Sequence, residues 1–374
     1  MPDLYDAVAY GMRAYSSTAF RVDVLGPRRL PLERGTLVVI THRRETDVPI
    51  VAPALYFGTG GHRNRGNRLH FSARDDMFLP GFFAGFPPAL PLRVRRALYP
   101  VGVARWLPVV NVFPIRSASV ARLGEVLAAR PAAPLEELVD DDGLARLLAR
   151  ASAAGRPVPA RAGEVLRGEY ADLLWEAVSP GDGVRDGLDD FWGRRAAGAA
   201  GDFRTLVELV RERRTLLVFP EGRPSPDGEI GPIRPGIGAL VRRGRPVALR
   251  PLALAYDPLV HGRTRVHLAL GEAVSPPAEE PALLELLRRT MPLTCGQVVA
   301  AALSEGAEAD PPALDRRLAE AVAAAEAEGR PVERELATEE GRRRRLAEAL
   351  ATAPAHADAL PVLAREHASA RESA

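Results

Sequence analysis

Short, largely apolar runs that stop at a polar residue recur three times along the chain. The runs and the residues after them are 36–40 before His42, 109–113 before Arg116, and 215–219 before Glu221 and Gly222. Runs of this length and composition predict buried strands. Because ligands of open α/β sheets bind at the carboxyl ends of the strands, we expect the three polar ends to gather over one crevice.

The first of these ends carries a histidine and, five positions later, an aspartate. Asp47 precedes Val48 and Pro49, a pattern that predicts the N-cap of a helix with proline in its first turn. His42 and Asp47 then share the connection between a strand and a helix. A turn there can fold the carboxylate onto the imidazole and create a general base with its orienting acid. A strand-end histidine followed by an ordinary helix cap would have the same sequence.

The other two ends carry groups that suit an anionic ligand. Arg116 is a cation able to bind a phosphate through two parallel hydrogen bonds. Glu221 stands beside Gly222, where the missing side chain lets a ligand approach the backbone. Taken singly, these residues also fit a surface arginine and a turn.

The order of predicted elements indicates an α/β fold. We expect a mixed, mostly parallel sheet with flanking helices, plus a C-terminal helical extension. The predicted domains are 1–275, with a helical insertion at 131–201 that is rich in proline and alanine, and 276–374 for the helical extension.

Composition narrows the classes of function. The 374 residues include 50 basic residues, all of them arginine because the sequence has no lysine, and the net charge is only +2. That balance gives no reason to expect nucleic-acid binding. A single cysteine, Cys295, excludes an internal disulfide and a site with several cysteine ligands.

The chain has no apolar stretch long enough to predict a transmembrane helix. Asp3 and Asp6 stand where a signal peptide would carry positive charge. We therefore expect a cytoplasmic protein, with any membrane contact peripheral and at the inner face of the cell membrane. Residues 78–92, rich in phenylalanine and followed by arginines, are the candidate for contact with the bilayer or an acyl chain; aromatic core packing is the alternative.

Four ordered blocks resemble those of the glycerophospholipid acyltransferase superfamily, which includes lysophosphatidate and glycerol-3-phosphate acyltransferases. The matching segments are H-x-x-x-x-D at His42 and Asp47, an apolar strand ending in Arg116, F-P-E-G at 219–222 with Ser225, and an apolar strand containing Pro251. The resemblance spans about residues 20–275. The chain departs from the pattern in the third block, where Arg223 comes one place early and Pro224 takes its position.

The resemblance implies transfer of a fatty acyl group from acyl-CoA or acyl-carrier protein to a hydroxyl of a glycerol phosphate-type acceptor, such as lysophosphatidate or glycerol-3-phosphate, in phospholipid biosynthesis. It implies no cofactor and no metal. The roles it assigns are general base for His42, orientation of the imidazole for Asp47, phosphate binding for Arg116 with Arg223, and positioning of the glycerol for Glu221 with Gly222.

Two other classes of protein fit the same residues. A metal-dependent hydrolase would use His42, Asp47 and Glu221 as ligands of one ion. A catalytically silent lipid-surface protein would keep the scaffold without the activity, and the altered third block agrees with that alternative.

Overall fold

The computed structural model describes most of the chain. The described residues are 3–26, 32–58, 64–79, 91–98, 101–153, 155, 157, 159–166, 170, 173–277, 279–306 and 310–371. The candidate bilayer-contact segment 78–92 lies outside the described residues at positions 80–90.

Strands and helices are interspersed up to residue 270 of the described chain, and only helices follow. The strands are β1 (Arg21–Leu25), β2 (Thr36–Ile40), β3 (His70–Arg74), β4 (Val112–Ile115), β5 (Ala121–Arg122), β6 (Ala177–Pro180), β7 (Gly183–Val184), β8 (Leu216–Val218), β9 (Ala248–Asp257) and β10 (Arg265–Leu270). The helices are α1 (Leu4–Ala19), α2 (Asp47–Phe57), α3 (Leu92–Leu98), α4 (Leu123–Ala129), α5 (Leu135–Leu138), α6 (Asp141–Ala153), α7 (Ala162–Val165), α8 (Asp189–Arg211), α9 (Pro235–Gly244), α10 (Glu280–Thr290), α11 (Cys295–Ser304), α12 (Pro311–Ala327), α13 (Glu339–Thr352) and α14 (Leu360–Arg371).

The main sheet is mixed and mostly parallel, which confirms the predicted fold class. Its strand order is β1-β10-β9-β2-β8-β3-β4. β2 pairs in parallel with β8 and β9, whereas β9 and β10 are antiparallel neighbours. All five residues of β2 are buried, as expected for a parallel strand that is covered on both faces.

The register between β2 and β8 decides which loops become neighbours. Val39 pairs with Val218 in the parallel arrangement, and each strand ends within one residue of that pair. The loop after β2 and the loop after β8 therefore leave the sheet side by side. Two of the three polar strand ends predicted from the sequence are brought together in this way.

The chain divides into two compact units. The first comprises residues 1–71 and 207–374, and the second comprises residues 72–206. The helices after residue 276, expected to form an extension, thus belong to the same unit as β2, β8 and β9. The segment 131–201, expected to be an insertion, falls inside the second unit.

The second unit has its own apolar core. Its helices α4 to α7 and the small sheet β5-β6-β7 surround buried aliphatic residues that include Leu127, Leu138 and Leu147.

Within the part of the chain that the structure describes, no helix is both long and apolar enough to cross a membrane.

A buried ionic network ties the C-terminal helices to the sheet of the first unit. Arg345 on α13 is 1% exposed, and its guanidinium donates to Glu333 at 2.6 Å and to Asp257, the last residue of β9, at 2.9 Å. Arg265 on β10 donates to the same Glu333 at 2.7 Å. The network thus connects α13, the strands β9 and β10, and the loop that carries Glu333. Separating any of these elements from the others would leave a buried ion without its partner.

We predict that Arg345→Met strongly destabilises the first unit. The substitution keeps most of the side-chain volume but leaves Asp257 buried without its cation, and breaking a buried pair on one side costs about 3–5 kcal/mol. Denaturant unfolding would measure the loss as a lower midpoint.

The matched control is Arg343→Met on the same helix. Arg343 is 67% exposed, and exposed ion pairs of its kind contribute at most about 1 kcal/mol. Equal midpoints for the two variants would show that the network does not support the fold.

Candidate active site

Asp47 holds the imidazole of His42 just beyond the end of β2. Nδ1 of His42 lies 2.9 Å from Oδ2 of Asp47. The Asp47 side chain is fully buried, and the His42 side chain is 13% exposed. Because a carboxylate accepts, this hydrogen bond places the proton of a neutral imidazole on Nδ1 and leaves the lone pair on Nε2. The structure therefore brings the two residues of the H-x-x-x-x-D motif into the geometry of a base and its orienting acid.

A tight turn between His42 and Asp47 brings the carboxylate to the imidazole. Oδ2 of Asp47 also accepts from the backbone N–H groups of Arg43, at 2.7 Å, and Arg44, at 3.0 Å. The carboxylate thus bonds backwards into the loop instead of capping the helix. Asp47 was expected at the N-cap, but it is the first residue of α2, and Thr46 takes the N-cap position.

A tyrosine from β9 completes the surroundings of the Asp47 carboxylate. The Tyr256 hydroxyl donates to Oδ1 of Asp47 at 2.6 Å. Burial, together with the negative charge of Asp47, raises the pKa of Tyr256, which keeps the hydroxyl protonated as a donor. With His42 and two backbone amides, Tyr256 gives the buried carboxylate four donors that offset its loss of hydration.

The loop after β8 covers the histidine from the other side. The ring of Phe219 stacks on the imidazole of His42, with centroids 4.1 Å apart and planes inclined by 29°. Phe219 is the first residue of the F-P-E-G motif. One face of the base is therefore shielded from water by the motif of the neighbouring strand.

Glu221 joins the two loops. One carboxylate oxygen accepts from the backbone N–H of His42 at 2.8 Å, and the other accepts from the Ser225 hydroxyl at 2.6 Å and the Gly231 N–H at 2.8 Å. The backbone N–H of Ser225 in turn donates to the carbonyl of His42 at 2.8 Å. Since Glu221 is 2% exposed and both oxygens are engaged, its observed role is to lock the histidine loop against the F-P-E-G loop.

The next two residues of the motif are open to solvent. Gly222 is exposed with φ of +70°, a conformation that favours glycine, and a Cβ there would lie 3.3 Å from Cγ of Arg234. Arg223 is also exposed. A ligand can therefore reach the backbone at Gly222 and the guanidinium of Arg223, whereas it cannot reach the carboxylate of Glu221.

A C-terminal helix secures the residue that follows the histidine. Arg43 is 4% exposed, and its guanidinium donates to the carbonyl of Glu229 at 2.6 Å. Its Nε lies 3.3 Å from a carboxylate oxygen of Glu366 on α14. Burial raises the pKa of Glu366, while the positive charge of Arg43 opposes that rise. The histidine loop is thus anchored to a part of the chain that the four sequence blocks do not include.

Arg116 lies in the second unit, directly after β4. Its Nε and Nη2 donate to the two carboxylate oxygens of Asp202 on α8, at 2.9 and 3.2 Å. The side chain is 38% exposed. The expected convergence of Arg116 with His42 stays a prediction, and the structure adds that Asp202 already holds one edge of the guanidinium.

One group of side chains has the spacing of metal ligands. Among the described residues, ligand atoms of Asp257, His267 and Glu333 lie within 4.8 Å of one another. The carboxylates of Asp257 and Glu333 already bond to the guanidinium of Arg345, so a cation would meet a fixed positive charge there. His42, Asp47 and Glu221 do not form such a group, because Glu221 faces the histidine backbone and not its ring.

Sequence patterns alone do not identify Tyr256 or Glu366 as residues of this site. Tyr256 comes from the strand that carries the fourth block, four residues beyond the position that pairs with Ile40. Glu366 is one of many glutamates in an alanine-rich helical region. The one sequence signal for Tyr256 is the length of the largely apolar run that becomes β9. In the structure this strand extends past the end of β2 and so reaches the level of Asp47.

The chain matches no protein-family model, no curated protein and no solved structure. The likeness to the acyltransferase superfamily therefore depends on the four sequence blocks. The geometry of His42 and Asp47 is an independent observation.

We predict that Tyr256→Phe lowers the free energy of unfolding by about 1.5–3 kcal/mol, because it removes one neutral donor from a buried charged acceptor. The ring and its packing are kept, so the loss reports the hydrogen bond. Chemical denaturation would measure it.

Tyr10→Phe is the matched control, since Tyr10 is 49% exposed. We expect that change to stay within about 0.5 kcal/mol. If both variants unfold at the same denaturant concentration, the Tyr256 hydroxyl does not stabilise Asp47.

Proposed function

We propose that the protein is an O-acyltransferase that moves a fatty acyl group from a thioester donor to the hydroxyl of a phosphorylated glycerol-type acceptor. The observation that carries this proposal is the hydrogen bond between Nδ1 of His42 and the buried Asp47, which leaves Nε2 of a partly exposed imidazole as a base. The F-P-E-G loop beside it supports the same reaction class through the sequence resemblance.

In the proposed reaction, Nε2 of His42 takes the proton of the acceptor hydroxyl as its oxygen attacks the thioester carbonyl. The new C–O bond forms, the C–S bond breaks, and the proton passes from Nε2 to the departing thiolate. Asp47 stabilises the imidazolium that exists between the two proton transfers. A positioned base of this kind contributes about 10²–10⁴-fold to the rate.

The burial of Cys295 favours direct attack of the acceptor on the thioester over transfer through a cysteine-bound acyl intermediate. Cys295 is fully buried, and burial raises the pKa of its thiol well above the usual range. A thiol in that state is a poor nucleophile. The proposal therefore uses no acyl-enzyme and assigns Cys295 to packing.

Substrate contacts are proposed for the exposed polar residues near the strand ends. Gly222 and Arg223 are accessible to the acceptor, while Glu221 acts on it through the loop that it fixes. We propose Arg116 as the phosphate ligand, with Asp202 orienting the guanidinium and the remaining exposed surface facing the phosphate. The proposed donors are acyl-CoA or acyl-carrier protein.

A lipid-handling reaction also favours peripheral contact with a membrane, in the cytoplasm at the inner face of the cell membrane. We propose that location together with the activity.

We predict that His42→Ala reduces release of free thiol from acyl-CoA or acyl-carrier protein, in the presence of acceptor, by about 10²–10⁴-fold. Asp47→Asn should also lower the rate, because an amide can stabilise the wrong imidazole tautomer. A thiol-reactive dye measures both, with circular dichroism to show that each variant is folded.

The control for the histidine is His261→Ala, since His261 is exposed and the substitution keeps the backbone N–H that donates to Glu348. Wild-type turnover in His42→Ala would end the assignment of the base. Absence of thiol release from the wild type across phosphorylated acceptors and both donors would favour the silent lipid-surface protein.

We further predict that Arg116→Ala raises the acceptor KM tenfold or more with a smaller change in kcat, because a charge-assisted bond of about 1.5–3 kcal/mol is lost from binding. Initial rates against acceptor concentration measure the two constants. Arg194→Ala, an exposed arginine on α8, should leave both unchanged. An unchanged KM in Arg116→Ala would place the phosphate elsewhere.

A further inference from the structure

The C-terminal helices of the first unit line an open cavity that the proposed reaction does not use. Its volume is about 620 Å³, which lies within the range of small-molecule sites. The walls come from α11, α12, α14 and the loop after α12. Cavities of this size between helices are common places for ligands.

The described residues that line this cavity carry an excess of positive charge. Four arginines line it, namely Arg316, Arg317, Arg330 and Arg371, against two carboxylates, Glu320 and Glu328. Arg317 is neutralised from outside by Glu305, to which it donates twice at 2.8 Å. Without Arg317, the described lining has three arginines and two carboxylates. A bound anion would therefore lower the electrostatic energy of the cavity.

Arg330 is the strongest single indication of a ligand. Its side chain is 4% exposed, and its closest carboxylate, Glu328, lies 3.5 Å from one terminal nitrogen. Nε and the other terminal nitrogen, Nη2, have no hydrogen-bond partner among the described residues. A buried guanidinium with two unused donors is costly, and an anionic oxygen in the cavity would satisfy them.

His367 gives a second and separate indication. It lines the same cavity from α14, is 6% exposed, and its Nδ1 has no partner within the described part of the chain. Burial and the neighbouring charges of Arg371, Arg330 and Arg317 lower its pKa to about 4. The unpartnered Nδ1 of His367 is thus a second buried polar group at the wall of this cavity, and arginines of the same lining lie close to it.

The rest of the lining is apolar. Leu293, Val298, Ala321 and Ala325 contribute aliphatic surface next to the arginines. A free inorganic ion would leave that surface wet. A ligand with an anionic head and a short hydrocarbon body would bury it and gain hydrophobic free energy as well.

We propose that this cavity is a binding site for a small phosphate monoester with an apolar tail. Arg330 and Arg371 bind the phosphate oxygens, and the aliphatic wall contacts the tail. A dianionic phosphate suits paired guanidiniums, because their planar donors match its oxygens. The site is separate from His42 and does not depend on the proposed acyl transfer.

Isothermal titration with n-hexyl phosphate, a soluble probe, tests the proposal on the intact 374-residue chain. We expect saturable 1:1 binding, at least tenfold weaker binding of inorganic phosphate, and no binding of n-hexanol. Equal affinity for inorganic phosphate and hexyl phosphate would overturn the role of the apolar wall. Absence of saturable hexyl phosphate binding would overturn the site.

Variants separate this site from general attraction to a basic surface. Arg371→Gln should weaken hexyl phosphate at least tenfold, and Arg371 is exposed enough that the change should not unfold the protein. Arg330→Gln should weaken it further, with unfolding monitored because Arg330 is buried. Arg343→Gln makes the same charge change outside the cavity and should stay within twofold.

Equal weakening by Arg371→Gln and Arg343→Gln would mean that binding is non-specific and would overturn the proposal. His42→Ala should bind hexyl phosphate like the wild type. This result keeps a failure of the proposed acyltransferase distinct from a failure of the cavity.

Discussion

The candidate site depends on the burial of one charge, the carboxylate of Asp47. Removed from water, it needs donors, and it has four: the imidazole of His42, the hydroxyl of Tyr256 and two backbone N–H groups of the preceding loop. Satisfying the carboxylate forces the loop into a turn, and the turn brings the histidine back to its partner. A buried carboxylate without partners would cost several kcal/mol. The same four hydrogen bonds therefore stabilise the loop and orient the imidazole of His42.

Buried charges of the same kind connect the rest of the first unit. Glu221 locks two neighbouring loops, Glu366 holds Arg43, and Arg345 joins β9 to the C-terminal helices. In a chain without lysine, every such cation is an arginine, whose several fixed donors can engage more than one acceptor. The helices that follow the four sequence blocks are consequently part of the scaffold that holds His42 in place.

Much of the fold could be predicted because its signals are local. The five-residue run of β2 is largely apolar because both faces of a parallel strand are covered. A run of that kind followed by the start of a helix indicates an α/β unit. The sequence does not show that the C-terminal helices belong to the same compact unit as β9. Arg345 and Asp257 are 88 residues apart, and no local pattern says that the helix of one packs against the strand of the other.

The sequence by itself determined the fold class, the placement of His42 and Asp47 five residues apart in one strand-to-helix connection, and the motif that supplies Phe219 and Glu221. The hydrogen bond between His42 and Asp47 is a result of the tertiary structure. Tertiary structure decided that Tyr256 reaches Asp47, that both Glu221 oxygens turn inward, and that Asp202 holds Arg116. The physical reason is the distance along the chain over which each kind of contact acts. Spacing between nearby residues limits which of them can form hydrogen bonds with one another. Which distant donor meets which acceptor depends on strand register and on which charges become buried together.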